Sequence, residues 1–222
     1  ENGTVDLHFL DKHLAAAEDG DTVIEAAADQ LLSKHAGDGH WSFALEADVT
    51  IPSEYIMLNH FLGEPDDPRE RDQRIMEIAL REAVGAGARD EVPVGAVVVL
   101  GGRIIGKAGN QVEELGDPTA HAEMLALTQA FAAAGAKRLL GAELFTTLEP
   151  CLQCAGACLH ARLDRVVYAT ADKKFGGVES LASLFELPGL NHRIVAEIGP
   201  GGEESSALLR AFFQAKRRTG TV

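Results

Sequence analysis

Two short stretches, Pro118-Thr-Ala-His-Ala-Glu and Pro150-Cys-Leu-Gln-Cys, constrain this chain more than any other feature. Each sets a proline just ahead of metal-binding or acidic side chains, and proline is favoured at the first position of a helix. Cys151 and Cys154 are then expected in one helix's first turn, three residues apart on one face. The helix dipole favours thiolate there. His121 and Glu123 are expected in the first turn of a second helix, upstream. A fold that aims both helix starts at one spot would gather one imidazole and two thiolates. That is a Cys2His set with an open fourth position, the pattern of a catalytic zinc site, where water becomes acidic enough to react at neutral pH. Glu123, two residues from a ligand, is placed to shuttle protons.

Other uses of the cysteines are weaker. A redox Cys-x-x-Cys beside a strand–helix junction has the same spacing, but it leaves His121 and Glu123 without a role. A closed structural zinc site needs a fourth protein ligand, and Cys158 is the nearest thiol in sequence. It shares the helix face but lies about 6 Å further along the axis than Cys154. It is expected to pack as a small buried side chain. Three clustered cysteines make no disulfide framework, which points to a reducing, cytoplasmic compartment. No apolar run reaches the roughly 18 residues of a membrane span. The acidic start at Glu1 resembles neither a signal nor a transit peptide.

The charge is divided. The 222 residues carry a net −14, yet residues 1–69 hold 3 Lys/Arg against 15 Asp/Glu while residues 70–222 hold 17 against 19. The whole-chain acidity therefore does not exclude a polyanionic partner for the second part. That part ends in the basic run Lys216, Arg217, Arg218. Residues 1–69 read as three short helices, with Trp41 as a packing anchor. His8, His13, His35, His40 and His60 read there as surface or turn residues. "GEPDDPRERD" reads as a linker.

Beyond the linker, helices are expected over "RIMEIALREAVGAGA", "PTAHAEMLALTQAFAAAGA", "PCLQCAGACLHAR" and "EESSALLRAFFQAKRR". Five strands are expected: "GAVVVL" and "RIIGKAGN", joined by a hairpin at Gly101–Gly102, then "AELFTTL", "DRVVYAT" and "RIVAEIG". A hairpin followed by alternating elements predicts an α/β protein with a mixed five-stranded sheet covered by helices, preceded by a short all-α segment.

His-x-Glu followed by Pro-Cys-x-x-Cys is the signature of zinc nucleobase deaminases. Around it, "EVPVGAVVV", "DPTAHAEMLAL", "TLEPCLQCAGACLHARLDRVVYA", "PGLNHR" and "LLRAFFQAKRR" occur in the order seen in the tRNA-specific adenosine deaminases, which residues 70–222 resemble. The resemblance implies the cytidine deaminase-like α/β/α fold, a homodimer and one Zn2+ per subunit. The implied reaction is conversion of adenosine to inosine at the wobble position of a tRNA anticodon loop. It also implies that Asn110 holds the flipped nucleoside and that Val92, Pro93, Val94 and Gly95 line the base pocket. Asp172, Asn191 and His192 would lie near the substrate, and Phe212 and Phe213 with the basic run would meet RNA. Basic groups near aromatics suit phosphates and splayed bases. Two other functions remain open: a deaminase of a free base or nucleoside such as guanine or cytosine, and a catalytically silent, zinc-stabilised interaction protein.

Residues 1–69 resemble a different family. "LLSKHAGDGHWSFALEADVTIPSEYIMLNHFLGEP" is similar to the N-terminal region of squalene–hopene cyclases, with His35 where their repeat has glutamine. The Asp-x-Asp-Asp acid motif of those enzymes is absent, so no cyclase activity is expected.

Overall fold

The structure, a computed structural model, describes residues 67–219. The three helices expected within 1–69, with Trp41 and the five scattered histidines, lie outside the described residues. Helix α1 spans Pro68–Ala88, with Pro68 at its first position and Glu70 in the first turn. The strands are β1 (Gly95–Leu100), β2 (Arg103–Gly109), β3 (Ala142–Thr146), β4 (Arg165–Tyr168) and β5 (Val195–Ile198). The remaining helices are a short α2 (Val112–Leu115), α3 (Ala122–Ala134), α4 (Leu152–Ala161) and α5 (Gly202–Thr219). A 3-10 turn covers Leu184–Glu186.

The five strands form one mixed sheet in the order β2-β1-β3-β4-β5. β1 runs antiparallel to β2 and β3, and β3, β4 and β5 run parallel. Gly101 and Gly102 join β1 to β2 at φ 56° and 75°. That pair of left-handed residues is what a two-residue hairpin turn requires.

Alternation along the strands divides the core. Ala96, Val98, Leu144, Val166 and Tyr168 face one side, with Ala122, Ala126 and Ala130 of α3 and Ala155, Cys158 and Ala161 of α4. Val97, Val99, Phe145 and Val167 face the other, with Ile75, Met76 and Ala79 of α1. The result is the expected α/β/α layering. A Cβ on Gly95 would lie 2.0 Å from the Ala79 carbonyl oxygen and 2.6 Å from the Ala83 nitrogen. Helix α1 therefore sits directly on the strand backbone, and only glycine fits beneath it.

Three local expectations need correction. The run Arg69–Asp72 is not linker but the first turns of α1. Arg71 bonds Glu143 of β3, while Arg165 of β4 bonds Asp72, Glu143 and Glu197 of β5. Both guanidinium groups lie within 6 Å of the Phe145 ring centre, at 5.9 and 5.6 Å. The charges that looked like solvated linker are thus paired across the sheet. Second, α3 begins at Ala122 rather than Pro118. The Asp117 carboxylate accepts the Thr119 N–H and hydroxyl at 2.8 and 2.7 Å, and the Ala120 N–H reaches the Asp117 carbonyl. This turn uses the residues that would otherwise have started the helix. Third, Pro150 stands before α4 rather than at its first position, because Cys151 is the extended N-cap residue, with φ −67° and ψ 174°.

Candidate metal and substrate site

The site is built at the two helix starts. His121 is the N-cap of α3 and Cys151 the N-cap of α4, both in extended backbone. Cys154 and Glu123 follow within the first turn of each helix. The Gln153 side-chain amide donates to the Thr119 carbonyl at 3.0 Å and ties the two starts together. The Cys151 Sγ lies 3.4 Å from His121 Nδ1 and 3.6 Å from Cys154 Sγ, and Cys154 Sγ lies 3.5 Å from His121 Nδ1. Tetrahedral zinc with Zn–S near 2.3 Å and Zn–N near 2.05 Å requires edges of about 3.8 Å between sulfurs and about 3.5 Å from sulfur to nitrogen. The triangle matches that spacing within a few tenths of an ångström. His121, Cys151 and Cys154 are the one such donor group among the described residues. Cys158 is fully buried in the core beneath α3 and α4. Burial pushes its thiol pKa up, which keeps it protonated.

The two thiols of this group have opposite tendencies. Their mutual hydrogen bond, helped by His121 and opposed by burial, brings Cys151 down to about 4. The same bond and burial push Cys154 up. Hydrogen bonding to Cys151 raises His121 against the effect of burial. Bound metal replaces the protons that such donors hold. Glu123 is buried beside them, 4% exposed, and burial raises its carboxyl from 4.5 to about 7. A carboxyl at that level can both take and give a proton near neutral pH, and a dication alongside would draw it down again.

A cavity of about 470 Å³ opens over this group, a volume in the range of small-molecule sites. His121, Glu123 and Cys151 line its floor, and Val94, Asn110 and Asp172 line its walls. Asn110 is held by its backbone N–H to the Val94 carbonyl at 3.0 Å and by its side-chain amide to Glu91 at 3.1 Å. Pro93, Asn191, His192 and Phe212 do not line this cavity. Pro93 packs against Gly87 of α1, and a Cβ added there would lie 3.4 Å from the Pro93 Cβ. Asn191 is exposed, and His192 Nε2 lies 2.6 Å from the Leu163 carbonyl oxygen. Phe212 meets Phe213 edge-on at 5.4 Å on α5, with the Lys216 ammonium over its ring.

Three residues of the site were not picked out in the sequence. Glu91, fully buried, bonds Asn110 and the Glu114 N–H. Glu149 lies under the wall carrying Asp172, and Phe175 stands at the rim, 65% exposed. Glu149 directly precedes Pro-Cys-x-x-Cys, a position that could have drawn notice. Nothing local marks the other two.

Comparison with known proteins agrees with this geometry. Residues 69–170 match the cytidine and deoxycytidylate deaminase zinc-binding region. Residues 24–86 match the squalene-hopene cyclase N-terminal domain, a match that runs on into α1. The chain is 49% identical over 142 residues to a tRNA-specific adenosine deaminase of Aquifex aeolicus, covering 64% of this chain and 93% of that protein. It superposes on a structure from work on A-to-I editing by tRNA:A34 deaminases at the wobble position. There the TM-score is 0.60 and the identity 47%, over 62% of this chain and 99% of that one. A guanine deaminase from Nitrosomonas europaea aligns at TM-score 0.53 and 26% identity, over 78% of this chain and 98% of that one. At 49% identity to the Aquifex aeolicus protein, and with 93% of that relative's length covered, the chain belongs to the tRNA-specific adenosine deaminase family.

Proposed function

We propose that this protein converts adenosine to inosine at the wobble position of a tRNA anticodon loop, releasing ammonia. The observation that carries the proposal is the buried Glu123 beside the His121–Cys151–Cys154 triangle, at the floor of a cavity walled by Asn110. His121, Cys151 and Cys154 would hold one zinc ion per subunit, which when bound supplies an acidified water as nucleophile. Glu123 would take one proton from the attacking water and pass it to the purine ring nitrogen, then take the second from the hydroxyl newly bound to the ring carbon and pass it to the amine, which leaves as ammonia. Burial raises the Glu123 carboxyl and a bound dication would lower it, so the two effects oppose each other. Asn110, steadied by Glu91, offers its amide to the substrate; Val94 contributes an apolar wall. A loop nucleotide is already partly unstacked, so bringing its base into the cavity costs little. Phe212 and the basic end of α5 would meet RNA outside the cavity, as would Asn191 and His192.

The same reading places the protein in the cytoplasm as a homodimer. Among the described residues no helix is long and apolar enough to cross a membrane. Residues 70–222 form the deaminase domain, a reading supported by α1, which opens at Pro68 close to that boundary. Residues 1–69 are a non-catalytic segment of cyclase-like origin.

A second reading, deamination of free guanine, draws on the likeness to the guanine deaminase. The higher identity to the tRNA-acting relatives favours RNA. The test is direct competition of substrates: inosine formed in an anticodon stem-loop against ammonia released from guanine. Faster turnover of guanine would replace the RNA reading.

A further inference from the structure

The chemistry above leaves one buried carboxylate without a task. Glu149, two residues before Cys151, is 2% exposed. Its Oε1 accepts the backbone N–H groups of Val178, Glu179 and Ser180 at 3.2, 2.8 and 2.9 Å. Its Oε2 accepts the Asp172 N–H at 2.9 Å and the Ser180 hydroxyl. All five donors belong to one irregular segment, residues 172–180. A buried carboxylate is tolerable only with such a full set of partners.

That segment rests on the residues that carry the metal donors. The Gly177 N–H donates to the Pro150 carbonyl at 2.7 Å, and Gly176 pairs with Cys151 in an isolated bridge. The approach leaves no room: a Cβ on Gly176 would lie 2.3 to 2.5 Å from the carboxyl atoms of Glu149, and one on Gly177 would lie 2.9 Å from the Leu152 nitrogen. The other end of the segment forms the cavity wall, through Asp172 and Phe175. The Asp172 carboxylate accepts the Lys174 and Phe175 N–H groups at 2.9 and 3.3 Å, so its position and that of Phe175 are linked.

We propose that Glu149 is a positioning residue for the reaction: its carboxylate holds segment 172–180 in fixed register with Cys151 and thereby sets the substrate-facing wall made by Asp172 and Phe175. The proposal rests on reading the cavity as the RNA-substrate site. The two oxygens divide the work. Oε1 anchors the base of the segment, and Oε2 ties that base, through the Ser180 hydroxyl, to the end that reaches the cavity, through the Asp172 N–H. In Glu149→Gln one oxygen is retained, and with it the three bonds at Val178, Glu179 and Ser180. An amide nitrogen, itself a donor, then faces the Asp172 N–H. The substitution therefore loosens the wall more than the base.

The test is steady-state kinetics on an anticodon stem-loop RNA with the full-length chain, with zinc content measured on the same samples. For Glu149→Gln the expected result is a KM raised about tenfold, kcat within about threefold of the parent, and unchanged zinc per chain. Because the effect runs through the wall, it is largely lost when Phe175→Ala is already present, giving a non-additive double-mutant cycle. An unchanged KM overturns the proposal, as does a fall in kcat with loss of zinc, or strict additivity with Phe175→Ala. Should Glu149→Gln fail to fold, Ser180→Ala removes only the hydroxyl bond to Oε2. It is expected to raise KM about threefold, and an unchanged KM there overturns the proposal equally. Absence of inosine with the parent chain is a separate outcome: it removes the RNA reading and this proposal with it.

Discussion

Replacing the two α4 cysteines of contrasting role separates a catalytic three-donor site from a closed structural one. Cys158 lies four residues past Cys154, is fully buried, and packs in the core shared by α3 and α4. Among the described residues, the donor atoms that lie within 4.8 Å of one another belong to His121, Cys151 and Cys154, without the Cys158 sulfur. Cys158→Ala removes one heavy atom from a packed setting, with a cost of about 1 kcal/mol. For a folded unit of this size that lowers Tm by about 2–4 °C. Zinc content should match that of the parent chain. Cys154→Ala removes a donor from the triangle. Losing even an outer partner of a metal site costs about 10–100-fold in affinity, so loss of a direct thiolate is expected to exceed 100-fold. The assay is zinc per chain after dialysis against a competing chelator, with a thermal melt on the same sample. If Cys158→Ala sheds zinc as readily as Cys154→Ala, the ion has four protein ligands and no open position, and the catalytic reading fails.

Other perturbations test the frame around the site. Arg165→Met strips Asp72, Glu143 and Glu197 of a shared partner and should cost about 2–4 kcal/mol, measured by urea unfolding. Burial alone would raise the Glu143 carboxyl, but hydrogen bonds from Arg71 and Arg165 hold it below its ordinary value of 4.5. Its stabilisation is therefore complete above that value and is lost as pH falls through the lowered one. Glu143→Gln should give lower stability at pH 7 and a shallower acid-side decline. Gly95→Ala drives a methyl into the Ala79 carbonyl and should abolish cooperative melting. Deleting residues 1–66 removes most of the net negative charge. It should leave deamination intact and tighten RNA binding most at low salt, as read by anisotropy titration.

The parts of this molecule that were legible in the sequence depend on neighbours in sequence. The Gly101–Gly102 turn and the five strands are each specified within a few residues. The metal group followed because two local signals, His121 with Glu123 and Cys151 with Cys154, needed only to meet. Features set by distant partners were not legible. Arg71 and Asp72 read as linker charges because their partners, Glu143 and Arg165, lie more than seventy residues away in sequence. Glu91 was not picked out because its bond to Asn110 forms only when the loop after α1 reaches the end of β2. The late start of α3 reflects competition, since Pro118 is a fair helix opener but the Asp117–Thr119 turn captures it first. The structure also directs His192 to the Leu163 carbonyl, a tertiary contact with no counterpart in local sequence.

Glu123, beside the zinc that His121, Cys151 and Cys154 would hold, is expected to carry the protons in deamination of an anticodon-loop adenosine. The most direct measurement is inosine by mass spectrometry in nuclease-digested stem-loop RNA, after incubation with the zinc-loaded chain or with Glu123→Gln at matched zinc content. Inosine is expected at the wobble position with the parent chain, and a rate lower by about 10²–10⁴-fold with Glu123→Gln. No inosine from the zinc-loaded parent, or equal rates for the two proteins, would contradict it.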